Sequence, residues 1–237
     1  MRLPPPTTTC RRTFVALAPL LPSILLPPLP ASASRPFSEP RFSLLLPDGY
    51  AISKRTATSG TLFVAGNFPR ASVVSVSAWP LPQLLAEEQA VLSLPGEPAS
   101  LPGLPPGGVN SLDDAKAALG TSSIDGLTRA LLRKRDRESS SGALTSVLSS
   151  SDLASGRLSW TASTELSVAD PEELYKQRGV RQLIRKTVAV SVLGSVPGEN
   201  GGKAVPAIFS CFATVLESDF DELGPPLVAA VQSFEVL

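Results

Sequence analysis

The chain has 237 residues, 43% of them hydrophobic and 18% charged, with 21 basic side chains balanced by 21 acidic ones. It contains no histidine. That absence removes the commonest general base and the commonest metal ligand, and with them Ser-His-Asp catalysis, Cys-His catalysis and His-bearing zinc sites. Two cysteines cannot build a Cys-only metal site, and the charge balance lacks the strongly basic face a nucleic-acid partner would need.

In chain order, the first feature is CRRTFVALAPLLPSILLPPLPASAS, residues 10–34. A membrane span needs about 20 consecutive apolar residues in unbroken helix. Here Pro19, Pro22, Pro27 and Pro28 interrupt a shorter run, each costing a helix interior about 3 kcal/mol. The pattern suits a cleaved export signal instead: a positive start, a short apolar middle, and small residues at the exit. Arg11 and Arg12 supply the start, and Ala31-Ser32-Ala33 the cleavage site, with cutting expected after Ala33. The pair Arg11-Arg12, followed by Thr13 and Phe14, resembles the twin-arginine signal that carries folded proteins across membranes. Removal of residues 1–33 leaves a domain over 34–237 with 18 basic and 21 acidic residues, and with Cys211 as its lone cysteine.

A strand pair is expected at Arg41 to Leu46 and Ala51 to Arg55, turned by Pro47-Asp48-Gly49. Thr61 to Gly66 and Ser72 to Trp79 read as the next strands, followed by a short helix at Leu84 to Leu92. The Pro- and Gly-rich stretch near 93–110 is expected to be a mobile loop. Ser111-Leu112-Asp113-Asp114 resembles a capping box opening a helix that ends at Gly120. Ile124 to Arg137 is a second helix, basic at Arg129, Arg133, Lys134, Arg135 and Arg137. The serine-rich segment 139–156 reads as a second mobile loop.

Arg157 to Val168 is the clearest strand. Leu158, Trp160, Ala162, Thr164 and Leu166 alternate with polar residues, so one face should be buried. Arg181 to Leu193 follows, and Ala204 to Leu216, apolar on both faces, should be central. A helix at Pro225 to Gln232 and a short strand at Ser233 to Leu237 finish the chain. Short connections between strands favour antiparallel pairing. The expected fold class is α+β: an antiparallel sheet of five to seven strands flanked by helices.

Several of these segments, in this order, resemble the PsbP family of extrinsic photosystem II proteins. They are FSLLLPDGYAISKR, TLFVAGNFPRASVVSVSAWPL, SLDDAKAALG, RLSWTASTELSV and VQSFEVL. The resemblance covers roughly residues 37–237. It implies an α/β/α sandwich, a place in the chloroplast thylakoid lumen peripheral to the membrane, and no catalysis. The implied partner is photosystem II or its assembly intermediates, with a role in stabilising the oxygen-evolving complex or in assembly.

Arg133, Lys134 and Arg135 on the basic helix, with Arg181 and Arg185 beyond, are the docking candidates; a solvated helix face and a solvated edge strand are the plainer readings of the same residues. No catalytic residue is expected. Lys54 and Glu165 are eligible for chemistry by residue type alone. No cofactor or metal is expected either, although Asp219, Asp221 and Glu222 are the acidic group that would take a calcium ion; a capped turn is the simpler reading. Cys211, mid-strand among apolar residues, should be an inert buried thiol. Trp79 and Trp160 should pack in the core or at its rim. An exported small-molecule or lipid-binding α+β domain is the alternative function.

Overall fold

In the computed structural model the chain forms ten strands and five helices over residues 34–53, 60–92, 109, 111–120, 124–138, 143–198 and 202–237, which are the residues described below. The strands are β1 Ser34–Glu39, β2 Phe42–Pro47, β3 Ala51–Ile52, β4 Thr61–Asn67, β5 Ser72–Pro80, β6 Ala143–Ala154, β7 Arg157–Leu166, β8 Leu183–Val196, β9 Val205–Leu216 and β10 Glu235–Val236. The helices are α1 Leu81–Leu92, α2 Leu112–Gly120, α3 Ile124–Glu138, α4 Pro171–Arg178 and α5 Phe220–Gln232. A seven-stranded sheet runs β3-β4-β5-β9-β8-β7-β6 and a three-stranded sheet runs β1-β2-β10. Every pairing in both is antiparallel. The fold is thus α+β, with helices and a second sheet packed on the large one.

β9 lies at the middle of the large sheet, as its unbroken apolar sequence requires. Phe209, Cys211, Ala213 and Val215 face one core, and Ile208 and Phe212 face the other. The first core is closed by the small sheet and α5, through Phe42, Leu44, Leu46, Leu227, Val231 and Phe234. The second is closed by α1, α2 and α3, through Leu81, Leu84, Leu85, Ala115, Leu131 and Leu132. Trp79 and Trp160 flank Phe212 in this second core, their ring centroids 5.7 Å from it on either side. The alternation in β7 falls as its sequence predicts: Leu158, Trp160, Ala162, Thr164 and Leu166 are buried.

Four expectations need correction. The hairpin between Arg41–Leu46 and Ala51–Arg55 does not form. β2 pairs instead with β1, Ser34–Glu39, while β3 crosses to the large sheet and pairs with β4. Pro47-Asp48-Gly49 still turns the chain, with Gly49 at φ +78°, but it passes the chain between sheets. The reason lies in β2, whose Phe42, Leu44 and Leu46 all point into the first core. The three-stranded sheet that accommodates them was not expected.

The serine-rich segment 139–156 is no loop from 143 onward. It is the edge strand β6, paired with β7 along its length with two register shifts. Serine and threonine hydroxyls pair across the strands, Ser150 with Thr161 at 2.7 Å and Ser146 with Thr164 at 2.8 Å. Cross-strand hydroxyl pairs of this kind support a ladder, and Leu148 adds packing against the second core.

β8 is an interior strand between β9 and β7, which corrects the expected solvated edge. The fourth correction concerns the basic residues of α3 and is taken up with the site. The segment near 93–110 lies outside the described residues, save Val109, which is buried in the second core.

A further helix, α4, is fixed by its own ends. Asp170 caps it by accepting from the N–H groups of Glu172 and Glu173, both at 3.0 Å, and Pro171 opens it. Gly179 closes it in the left-handed region at φ +72°. This is the ordinary start-and-stop grammar of a short helix.

Candidate functional site

The middle of the basic run on α3 turns inward: Lys134 is buried and Arg133 and Arg135 are half-buried, while Arg129 and Arg137 stay exposed. α1 places Glu87 and Glu88 opposite it on the same side of the sheet. Glu88 is fully buried and accepts from Arg133, with Arg137 at 3.3 Å on its other oxygen. Lys134, also buried, reaches Glu87 at 2.8 Å and Glu138 at 3.1 Å. Burial alone would raise the pKa of Glu87, but hydrogen bonding and charge from Lys134 overcome that and leave it lowered. Burial likewise opposes the Lys134 ammonium, and Glu87 and Glu138 overcome it, so its pKa is raised. Glu138 also accepts from Trp79 Nε1 at 2.8 Å, which ties the end of α3 to β5.

Arg135 bonds to its neighbour Asp136 at 2.5 Å, and to Thr187 at 2.5 Å and Thr164 at 3.1 Å on the sheet beneath. Arg185 sits in register with Thr164 on β8, half-buried. Burial first, then repulsion from Arg135, lowers its pKa, with Asp136 partly compensating. Arg133 and Lys134 therefore hold α3 to α1, Arg135 holds α3 to the sheet, and Arg185 lies half-buried beside it. Neither outward docking nor a solvated face describes them. The missing signal was the pair Glu87-Glu88, three residues past Leu84, whose partners are nearly fifty residues away in sequence.

Arg181 alone of the five docking candidates faces solvent freely. It bonds to Glu172 of α4 at 3.3 Å and lies 5.1 Å from the ring centroid of Tyr175. Tyr175 and Val180 beside it are themselves exposed, at 51% and 44%. An exposed tyrosine and arginine in contact are the residue types most often found as binding anchors.

Asp219, Asp221 and Glu222 begin α5, where carboxylates oppose the positive end of the helix. Glu222 takes Arg70 in a two-pronged pair at 2.6 and 2.7 Å. Among the described residues no group of three or more His, Cys, Asp or Glu is placed to hold a metal. Glu165 lies on β7 opposite Thr145 and Ile184. Lys54, Arg11, Arg12, Ala31 and Ala33 lie outside the described residues. Cys211 is fully buried, and burial pushes its thiol pKa up to about 12.

A cavity of about 480 Å³ opens between α2, α3 and the ends of β7, β8 and β9. Leu119, Leu127, Leu131, Leu158, Leu193 and Ile208 are among its walls. Ile124 and Leu153 stand at its rim, 41% and 53% exposed. Of its polar wall residues, Ser191 is already engaged by Ser210 at 2.8 Å and Trp160 Nε1 at 3.4 Å. Lys116 is the charged one, 69% exposed and 3.7 Å from Asp113.

No family model matches the chain. No curated protein matches it either. Among solved structures it is similar to the solution structure of cyanobacterial PsbP from Synechocystis sp. PCC 6803. That likeness has 13% identity and a TM-score of 0.48, covering 87% of this chain and 94% of the other. It is also similar to the crystal structure of LpqN, involved in cell envelope biogenesis of Mycobacterium tuberculosis. Here identity is 12% and TM-score 0.33, over 86% of this chain and 90% of the other. Identities and scores this low carry neither function nor partner across.

Proposed function

We propose that this chain is a non-catalytic extrinsic protein of the photosynthetic membrane. On this reading a twin-arginine-type signal delivers it to the chloroplast thylakoid lumen. There it binds photosystem II or an assembly intermediate, stabilising the oxygen-evolving complex or aiding assembly. Support comes from the ordered segments that resemble the PsbP family. The observation that carries a binding role is the α4–β8 corner, where Tyr175, Val180 and Arg181 are exposed together. By contrast, the charged groups that the fold gathers on α1 and α3 are taken up with one another.

The test is fractionation of chloroplasts expressing the tagged full-length chain. The processed protein is expected in the lumen, released by a salt wash that screens surface charge, and co-purifying with photosystem II. The double substitution Tyr175→Ala with Arg181→Glu should reduce co-purification at least tenfold. Recovery from stroma or cytosol overturns the reading, as does undiminished co-purification of the double variant.

A further inference from the structure

The cavity beneath α2 and α3 has no part in the docking reading. Its about 480 Å³ lies in the range of roughly 300–1,000 Å³ that small-molecule sites occupy. Its walls are aliphatic, with no aromatic ring for a flat ligand to stack on. The hydroxyl among its walls, Ser191, already bonds to Ser210 and accepts from Trp160, so a polar group carried inward would meet little but aliphatic surface. Burying an unmatched polar group is costly, so the inner part of any ligand must be hydrocarbon. The polar end must then stay at the mouth. There Lys116 is the charged residue of the lining, and its contact with Asp113, both side chains exposed, is a weak surface pair that a second carboxylate can replace. The nearby Asp125 is turned to β6, where it accepts from Ser151. Ile124 and Leu153 leave apolar surface in water at the same mouth, which a bound chain would cover. Gly120 and Gly156 line it with open space where a side chain would otherwise project.

We infer that this cavity binds one long-chain fatty acid, its hydrocarbon tail between α3 and the sheet and its carboxylate beside Lys116. The site stands whether or not the chain docks on a photosystem.

The test uses the purified full-length chain and cis-parinaric acid, a fatty acid whose fluorescence rises in apolar surroundings. A saturable rise at one site per chain is expected, with displacement by palmitate at least tenfold better than by hexadecanol, which lacks the charge. Leu127→Trp, which fills the cavity, should weaken binding at least tenfold. Leu153→Asp alters only the exposed rim, keeps the fold and should do the same. Lys116→Glu should erase the preference for palmitate over hexadecanol. The inference is overturned by absence of saturable binding, by affinity unchanged in both Leu127→Trp and Leu153→Asp, or by a palmitate preference that survives Lys116→Glu.

Discussion

Trp79 on β5 donates its indole N–H to Glu138, the last residue of α3, at 2.8 Å, although 59 residues separate them. The same carboxylate takes Lys134, and Lys134 takes Glu87 of α1. One sheet strand and two helices are thereby joined through a single chain of polar contacts at the edge of the second core. Trp79→Phe keeps an aromatic ring against Phe212 and removes the donor. Loss of one charge-assisted hydrogen bond should cost about 1.5–3 kcal/mol. Urea unfolding should show the fall in midpoint, and Glu138→Gln should cost further stability in the Trp79→Phe background, because the carboxylate still holds Lys134 there.

Glu88 is a carboxylate without any exposed surface, held by Arg133 and Arg137. Removing one partner of a buried pair strands the other charge, at a cost of about 3–5 kcal/mol. Glu88→Ala should therefore rank among the most damaging single substitutions outside the apolar core. Glu88→Leu, which fills the volume but not the charge, should remain destabilising while Arg133 keeps its guanidinium. Paired replacement of Glu88 and Arg133 by apolar residues should recover part of the loss. Chemical denaturation of the four proteins checks the ordering.

The pair Glu87–Lys134 gives the fold a pH dependence at both ends. The folded pKa of Glu87 is lowered, so its contribution is full above the ordinary glutamate value of 4.5 and is lost as pH falls through the lower, folded value. The folded pKa of Lys134 is raised, so its contribution is full below the ordinary lysine value of 10.5 and is lost as pH rises through the higher, folded value. The stability gap between the native chain and Glu87→Gln should stay wide through neutral pH and close toward acid. A gap that widened on acidification would contradict this.

Gly60 stands at φ +93°, and a Cβ there would lie 2.7 Å from the Trp79 indole. Its carbonyl also accepts from Ala78 N at 2.8 Å, so it cannot simply swing away. Gly60→Ala should destabilise by about 1–3 kcal/mol through backbone strain and displacement of the indole. Thermal unfolding, with tryptophan emission as the reporter of the indole's surroundings, checks both effects. Gly49→Ala provides the contrast: φ is +78° but no atom lies within 4 Å, so strain is the sole cost there.

Cys211 on the central strand should resist thiol reagents in the native state, since the thiolate they need is suppressed and no solvent reaches the sulfur. In a Cys10→Ser background, labelling should proceed at the rate of unfolding and become immediate in denaturant.

Elements with a local signature were legible in the sequence: the period-two alternation of β7, the doubly apolar β9, and the serine that caps α2, where Asp114 N donates to Ser111 Oγ at 3.1 Å. What was not legible depends on partners distant along the chain. β6 is serine-rich and turns only scattered apolar residues such as Leu148 toward the core, so its pairing with β7 was not readable from its own pattern. β2 could pair forward or backward, and its burial against α5 and Phe234 decided for β1. The arginines of α3 read as a surface because the glutamates that claim them lie on another helix. The corner of Tyr175 and Arg181 is half legible: the arginine shows as a charge, but the tyrosine joins it only once Asp170 and Gly179 have set the limits of α4.

The small sheet is assembled from opposite regions of the polypeptide. Val236 lies across from Phe42, and Leu237 N donates to the Arg41 carbonyl at 3.0 Å. β1 and β2 therefore emerge from the ribosome long before the strand that completes them, and Phe42 waits without its cover of Phe234 while almost everything in between is synthesised. A nascent chain stalled late in translation would hold a hairpin with one greasy side bare, a natural foothold for chaperones. Only once Phe234 and β10 have arrived is that side covered.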